Sequence, residues 1–192
     1  MSVLLFSKII VFVSIIVWLI PPIRQFRTSY FYFFLVLALM DPIALIYNSL
    51  TDLRIPFGFY LFANFLLLIF LLDFESIKKN LYFIVLSGLV LFGVTTFGNF
   101  SNEQSLIILV AIQFFILAVI LKKFIINFAF EKKINFFHLI LAFYFLTNIT
   151  KFFNVLTGFA DATAFFIITS IAQIIFGLFF SIVREDKPKI VL

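Results

Sequence analysis

Cysteine is absent from this chain, and histidine and tryptophan occur once each in its 192 residues. Without a thiol there can be no disulfide framework, no thiolate nucleophile and no Cys-based metal or iron–sulfur site, and the redox compartment is left open. His138 alone cannot build a multi-histidine metal centre. No G-x-S-x-G elbow, H-E-x-x-H helix, P-loop or pair of intramembrane glutamates is found, so the signatures of hydrolases, metalloproteases and ATPases are all missing. The chain is therefore read as a non-enzyme with no metal and no cofactor. Charge is scarce as well, at 12% of residues. What fills the sequence instead is apolar: 65% of residues are hydrophobic and the mean hydropathy is +1.25, far outside the soluble range. The long apolar runs lack the period-two alternation of a β-barrel. The expected fold class is all-α, an integral membrane bundle of seven helices with the lipid bilayer as its solvent.

Apolar runs bounded by charge or turn clusters place helices near 3–20, 30–50, 57–73, 81–97, 105–121, 136–156 and 163–183, forming a single transmembrane domain over 1–192. Three breaks support this division. Pro21-Pro22 is expected to end the first helix, Asp52-Leu53-Arg54-Ile55-Pro56 makes a polar turn, and Gly98-Asn99-Phe100-Ser101-Asn102-Glu103-Gln104 makes another. The first segment ends in Trp18-Leu19-Ile20-Pro21-Pro22 without a small-x-small cleavage pattern, and its positive charges follow it, so it is expected to stay attached.

The net charge of +5 is scattered through loops without a long contiguous basic stretch, which argues against nucleic acid and for a role in topology. Arg24, Arg27, Lys78, Lys79, Lys122, Lys123, Lys132, Lys133, Arg184, Lys187 and Lys189 fall on one side, against Lys8, Arg54 and Lys151 on the other. Cytoplasmic loops retain Lys and Arg, so this asymmetry places the N-terminus outside and the C-terminus in the cytoplasm. Tyr30, Tyr32 and Tyr82 fall near helix starts, where interfacial aromatics are favoured. The 33 Phe residues beside abundant Ile, Leu, Asn and Lys fit the codon bias of an AT-rich genome acting on a lipid-facing protein, and suggest a bacterial inner membrane. The oligomeric state is not readable.

Polar side chains near helix centres are costly in hydrocarbon and should face the bundle interior. Asp41, Asn64, Gln113, Asn148 and Gln173 sit at similar depth on five different helices. Interhelical hydrogen bonding is one reading, at about 0.6 kcal/mol per interaction. A polar cavity for a ligand or transported solute is the other. Asp41 stands out because an intramembrane carboxyl costs about 2.5–3.5 kcal/mol on insertion scales. Pro42 follows it and can kink the helix. Lys151, about one turn further out on the sixth helix, is the expected partner of Asp41, with snorkelling to the outer interface as the competing reading. Thr147, Asn148, Lys151 and Asn154 form a polar stripe suited to an outward-facing pocket, while His138 is expected to be a plain interfacial histidine, with a proton-sensing role as the alternative.

Helices 1–3 and 5–7 would run in the same directions, which allows a three-plus-one-plus-three repeat with the fourth helix as linker. Tyr47-Asn48-Ser49-Leu50-Thr51 is similar to Phe153-Asn154-Val155-Leu156-Thr157. In helix count, size and proposed repeat the chain resembles the SWEET sugar transporters. That family relies on prolines in both halves, whereas here Pro21, Pro22, Pro42 and Pro56 all lie in the first. Microbial rhodopsins share the span count and orientation but need a lysine in the last helix, and 163–183 has none. The layout also resembles small bacterial seven-helix modules associated with sensor histidine kinases, through a basic first cytoplasmic loop, Ile23-Arg24-Gln25-Phe26-Arg27, and a short basic tail, Arg184-Glu185-Asp186-Lys187. That resemblance implies a sensor or receptor-like module signalling through a protein partner on the cytoplasmic face. The alternative is a small-solute transporter using the mid-membrane cavity.

Overall fold

In a computed structural model the described residues are 3–53, 55–72, 78, 79, 81–97, 101–186, 190 and 191. They form α1 (Val3–Trp18), α2 (Ile20–Arg24), α3 (Phe31–Thr51), α4 (Phe57–Leu71), α5 (Leu81–Phe97), α6 (Asn102–Glu131), α7 (Phe136–Thr157) and α8 (Ala162–Ile182). A two-residue strand β1 (Lys133–Ile134) pairs antiparallel with β2 (Ile190–Val191), tying the C-terminal tail to the α6–α7 turn. Each of the seven apolar segments read from the sequence corresponds to a helix. Five described stretches are long and apolar enough to cross a membrane: Phe6–Arg24, Phe31–Thr51, Glu103–Phe130, Phe136–Thr157 and Thr163–Ile182. Phe57–Leu71 and the apolar stretch Leu81–Leu91 are shorter. Arg54, Lys187, Lys189 and the turn residues Gly98, Asn99 and Phe100 lie outside the described residues.

Two helix ends differ from expectation, for chemical reasons. Pro21 and Pro22 do not end the first helical segment. The chain makes a turn at Leu19 and restarts as α2 with both prolines in its first positions. There a missing N–H costs nothing, because the first N–H groups of a helix have no intrahelical partner. The second difference is α6, expected over 105–121 and found over Asn102–Glu131. At its start, Ser101 and Gln104 form a reciprocal capping box, Ser101 Oγ accepting from Gln104 N–H and Gln104 Oε1 accepting from Ser101 N–H. At its end, Lys122 and Lys123 interrupt the apolar run but are good helix formers, and no Gly or Pro intervenes before Lys132. The helix stops where Lys132 takes a left-handed conformation, φ 51°. α3, by contrast, runs unbroken through Pro42.

Packing closes six helices into a ring. α1 packs on α3 and α8, α3 on α4, α4 on α6, α6 on α7, and α7 on α8, while α5 stands outside against α4. Exchanging α1, α3 and α4 for α6, α7 and α8 leaves this pattern of neighbours unchanged. The turns that follow α3 and α7 repeat the same chemistry. Thr51 Oγ1 donates to Tyr47 O (2.8 Å) and Thr157 Oγ1 to Phe153 O (2.9 Å). The next residues, Asp52 and Gly158, are both left-handed caps, φ 53° and 63°. Asn48 Oδ1 then accepts from Ile55 N–H and Asn154 Oδ1 from Ala160 N–H, each at 2.9 Å. The asparagine and threonine shared by the two sequence stretches thus play the same parts in both turns, the asparagine accepting from the amide seven residues on in the first and six in the second.

The ring is apolar outside and polar within. Phe12, Phe115, Ile168 and Ile175 are among the many large apolar side chains pointing outward, whereas Asn64, Gln113 and Asn148 are buried. This is the arrangement expected for a surface solvated by lipid. One end of the ring is filled by Trp18, Tyr30, Phe33, Phe34, Phe137, Phe145 and Phe180, with Leu71, Ile120 and Leu141. Ring centroids lie 4.9 Å apart for Phe34 and Phe180, 5.0 Å for Tyr30 and Phe137, and 5.3 Å for Phe137 and Phe180. Such offset and edge-to-face pairs are worth about 0.5–1.5 kcal/mol each beyond their buried area. Trp18, Leu71 and Phe180 come from the last turns of α1, α4 and α8, Tyr30, Phe33, Phe34 and Phe137 from the starts of α3 and α7, Leu141 and Phe145 from the next turns of α7, and Ile120 from α6, so the plug lies toward that end.

Candidate functional site

Above the plug the ring opens into a cavity of about 340 Å³. All six polar residues singled out in the sequence border it: Asp41 from α3, Asn64 from α4, Gln113 from α6, Asn148 and Lys151 from α7, and Gln173 from α8. Its floor is made by Leu67, Tyr144 and Phe145, which also belong to the plug. A second cavity of about 400 Å³ shares Asp41, Lys151 and Gln173 with the first. It extends past Ser14 and Ser170 to Asn48 and Ser49 in the last turns of α3, toward the end of the ring opposite the plug. The polar interior therefore reaches one end of the bundle and is stopped by aromatics toward the other.

Helix spacing explains how the amides meet. Asn64 sits in the middle of α4, facing α6, where Gln113 Nε2 donates to Asn64 Oδ1 (3.3 Å). Asn64 Nδ2 in turn donates to Tyr60 O, one turn earlier on its own helix (2.8 Å). On the other side, Gln173 Nε2 donates to Asn148 Oδ1 (2.9 Å), joining α8 to α7, and Trp18 Nε1 donates to Gln173 O (3.1 Å), joining α8 to α1. Interhelical hydrogen bonding and a cavity lining are thus the same side chains, rather than alternatives. One atom is left over. Gln113 Oε1 is buried without a hydrogen-bond partner, on a residue only 3% exposed.

The expected Asp41–Lys151 ion pair is not formed: no carboxylate–ammonium contact within 4.0 Å joins them. The reason is geometric. α3 and α7 occupy opposite positions in the ring; they meet at the plug, where Tyr30 Oη lies 2.8 Å from His138 Nε2, but the cavity separates them at the depth of Asp41. Lys151 instead places Nζ 5.1 Å from the centroid of the Phe166 ring, a cation–π contact with α8. The Asp41 carboxyl is exposed to the cavity rather than enclosed by neighbouring side chains.

Other sequence readings change place. His138 is not interfacial but buried, with its backbone N–H capped by Asn135 Oδ1. Tyr30, expected at the interface, is buried with it, while Tyr32 and Tyr82 are exposed as an interfacial position requires. In the α7 stripe, Asn148 and Lys151 line the cavity, whereas Thr147 bonds back to Phe143 O and Asn154 holds the following turn. Sequence reading missed Tyr60 and Tyr144, which also line the cavity. Their spacing was the available signal, since each precedes a cavity asparagine by four residues, Tyr60 before Asn64 and Tyr144 before Asn148. Ser14 and Ser170 were missed because a hydroxyl embedded in an apolar run is too cheap to stand out.

Among the described residues no cluster of three or more His, Asp or Glu side chains could hold a metal ion. Comparison with protein-family models, curated proteins and solved structures finds no match for this chain. What the arrangement offers chemically is an aqueous-sized polar chamber with one carboxylate, one ammonium and an unfilled amide acceptor.

Proposed function

We propose that this is a multi-pass protein of a bacterial inner membrane, spanning it seven times with its N-terminus outside and C-terminus in the cytoplasm, that binds and moves a small polar solute through the ring. The observation that carries this reading is the one-ended cavity. Six polar side chains from five helices line a chamber that extends toward the outer end, and the aromatic plug closes the cytoplasmic end. A chamber open to one side and sealed on the other is what an alternating-access carrier holds at one stage of its cycle, and the matched halves α1, α3, α4 and α6, α7, α8 supply two bodies that can rock against each other. The loop charges support the orientation. The short α4 is accommodated by local thinning of the bilayer around it.

A second reading, a sensor module signalling through a partner protein, has one specific feature in its favour. α6 continues for about two and a half turns beyond Lys122, presenting Ile125, Phe128 and Phe130 to the exterior at the cytoplasmic end.

The test is solute flux in proteoliposomes. Vesicles containing the wild-type protein are expected to take up a polar solute that protein-free vesicles exclude, and Asp41→Asn is expected to slow that uptake at least tenfold. Absence of flux for every class of small polar solute, with a partner protein recovered by crosslinking at the α6 end, would replace the carrier with the sensor.

A further inference from the structure

The solute-cavity reading leaves the chemistry of the solute open, and the side chains around the chamber narrow it. We infer that the ligand is a small zwitterion, carrying an ammonium and a carboxylate group on a compact frame such as that of a free amino acid. Three observations converge. First, the amide groups of Asn64 are already spent, its oxygen on Gln113 and its nitrogen on Tyr60 O, and the oxygen of Asn148 is spent on Gln173. Second, one acceptor remains without a donor, Gln113 Oε1, buried on a residue 3% exposed that borders the cavity. A buried acceptor left empty is expensive, and water or a ligand N–H satisfies it. Third, the chamber wall carries one anion and one cation, Asp41 and Lys151, that face the same space without touching.

The charges decide between ligand classes. A simple cation would satisfy Asp41 and Gln113 Oε1 but leave Lys151 facing a like charge, and a simple anion would do the reverse to Asp41. An uncharged polyol would satisfy hydrogen bonds while offering neither the Asp41 carboxyl nor the Lys151 amine an opposite charge. A zwitterion matches all three groups, its ammonium toward Asp41 and Gln113 Oε1 and its carboxylate toward Lys151, and brings no net charge into the membrane. The volume agrees: 340 Å³ falls near the lower end of the range of about 300–1,000 Å³ typical of small-molecule sites. Phe166, which lines the second cavity with Lys151, has its ring centroid 5.1 Å from the lysine Nζ.

The experiment is thermal unfolding of the full chain in lipid nanodiscs against a panel of defined probes: glycine, alanine and serine as zwitterions; methylamine and ethylamine as cations; acetate and propionate as anions; glycerol and glucose as polyols. The zwitterions are expected to raise the midpoint with a saturable concentration dependence, and the other three classes to leave it unchanged. Asp41→Asn and Lys151→Met are each expected to abolish the shift, and Gln113→Leu, which removes the acceptor without touching a charge, to weaken apparent affinity at least tenfold. Ser87→Ala, on α5 outside the ring, serves as the variant in which the shift is retained. Because the ligand-free midpoint of each variant is read in the same scan, loss of folding is separated from loss of binding. A shift with glucose or glycerol but not with the amino acids would overturn the zwitterion while leaving the solute cavity standing. No shift with any probe would overturn both.

Discussion

Gly177 shows how little room some residues have. A Cβ at this position would fall 2.8 Å from Val17 Cγ1 and 3.2 Å from Trp18 Nε1, so α1 and α8 approach each other over a bare backbone. Gly177→Ala is expected to destabilise the protein by about 1–3 kcal/mol, read as a lowered unfolding midpoint, while Gly93→Ala, where a Cβ meets nothing within 4 Å, leaves the midpoint in place or raises it. Gln25 is the second such residue. Fully buried, it donates through Nε2 to Val183 O (2.7 Å) and accepts at Oε1 from Glu185 N–H (3.1 Å), terminating α8 from the end of the neighbouring α2. Gln25→Leu strands both backbone groups, at about 1–3 kcal/mol each, and hydrogen exchange at the Glu185 amide is expected to quicken markedly; an unchanged rate would show that the tail is held some other way. Neither residue is legible in the sequence. Gln25 sits in a stretch read as a basic loop, and a glycine in an apolar run says nothing about which neighbour it admits. The six cavity residues were legible because a polar group in hydrocarbon must be explained wherever it points. Their partners were not, since spacing along one helix cannot tell which other helix it faces.

At the scale of elements, hydropathy located the helices well and misjudged their ends where membrane exit and helix termination are different events. α6 is the clearest instance. Lys122 and Lys123 interrupt the apolar run, but nothing in Phe124–Glu131 stops a helix, and the whole element runs about 45 Å at 1.5 Å per residue. Single cysteines placed one at a time from 122 to 131 should label with thiol reagents at a period near 3.6, fast on the exposed side of Ile125 and Phe128 and slow at Asn127. A flat, uniformly fast profile would mean that the extension is unwound. The Ser101–Gln104 capping box, by contrast, was written in the sequence but hidden inside a stretch read only as a polar turn.

For the molecule as a whole, the two halves share in sequence little more than the asparagine, leucine and threonine at the ends of α3 and α7. The likeness extends to structure because those residues build the turns that set where α4 and α8 begin. The closed ring could not be read from the sequence, since apolar faces in lipid carry no code for their neighbours. α5 packs outside that ring, and none of its described side chains lines the cavities. In the proposed seven-span arrangement its contribution would be one of parity: an odd segment between two three-helix units reverses the heading of the second so that both would enter the membrane alike. A gene cut on either side of α5, yielding residues 1–72 and 101–192 as two polypeptides, would preserve every neighbour in the ring, but the second polypeptide would have to find its own heading from Lys122, Lys123, Lys132 and Lys133. Co-expression of the two pieces is expected to reconstitute the assembly, detectable as their co-purification. Ancestrally, such a ring is what two copies of one three-helix protein would form, before a linker made them a single chain.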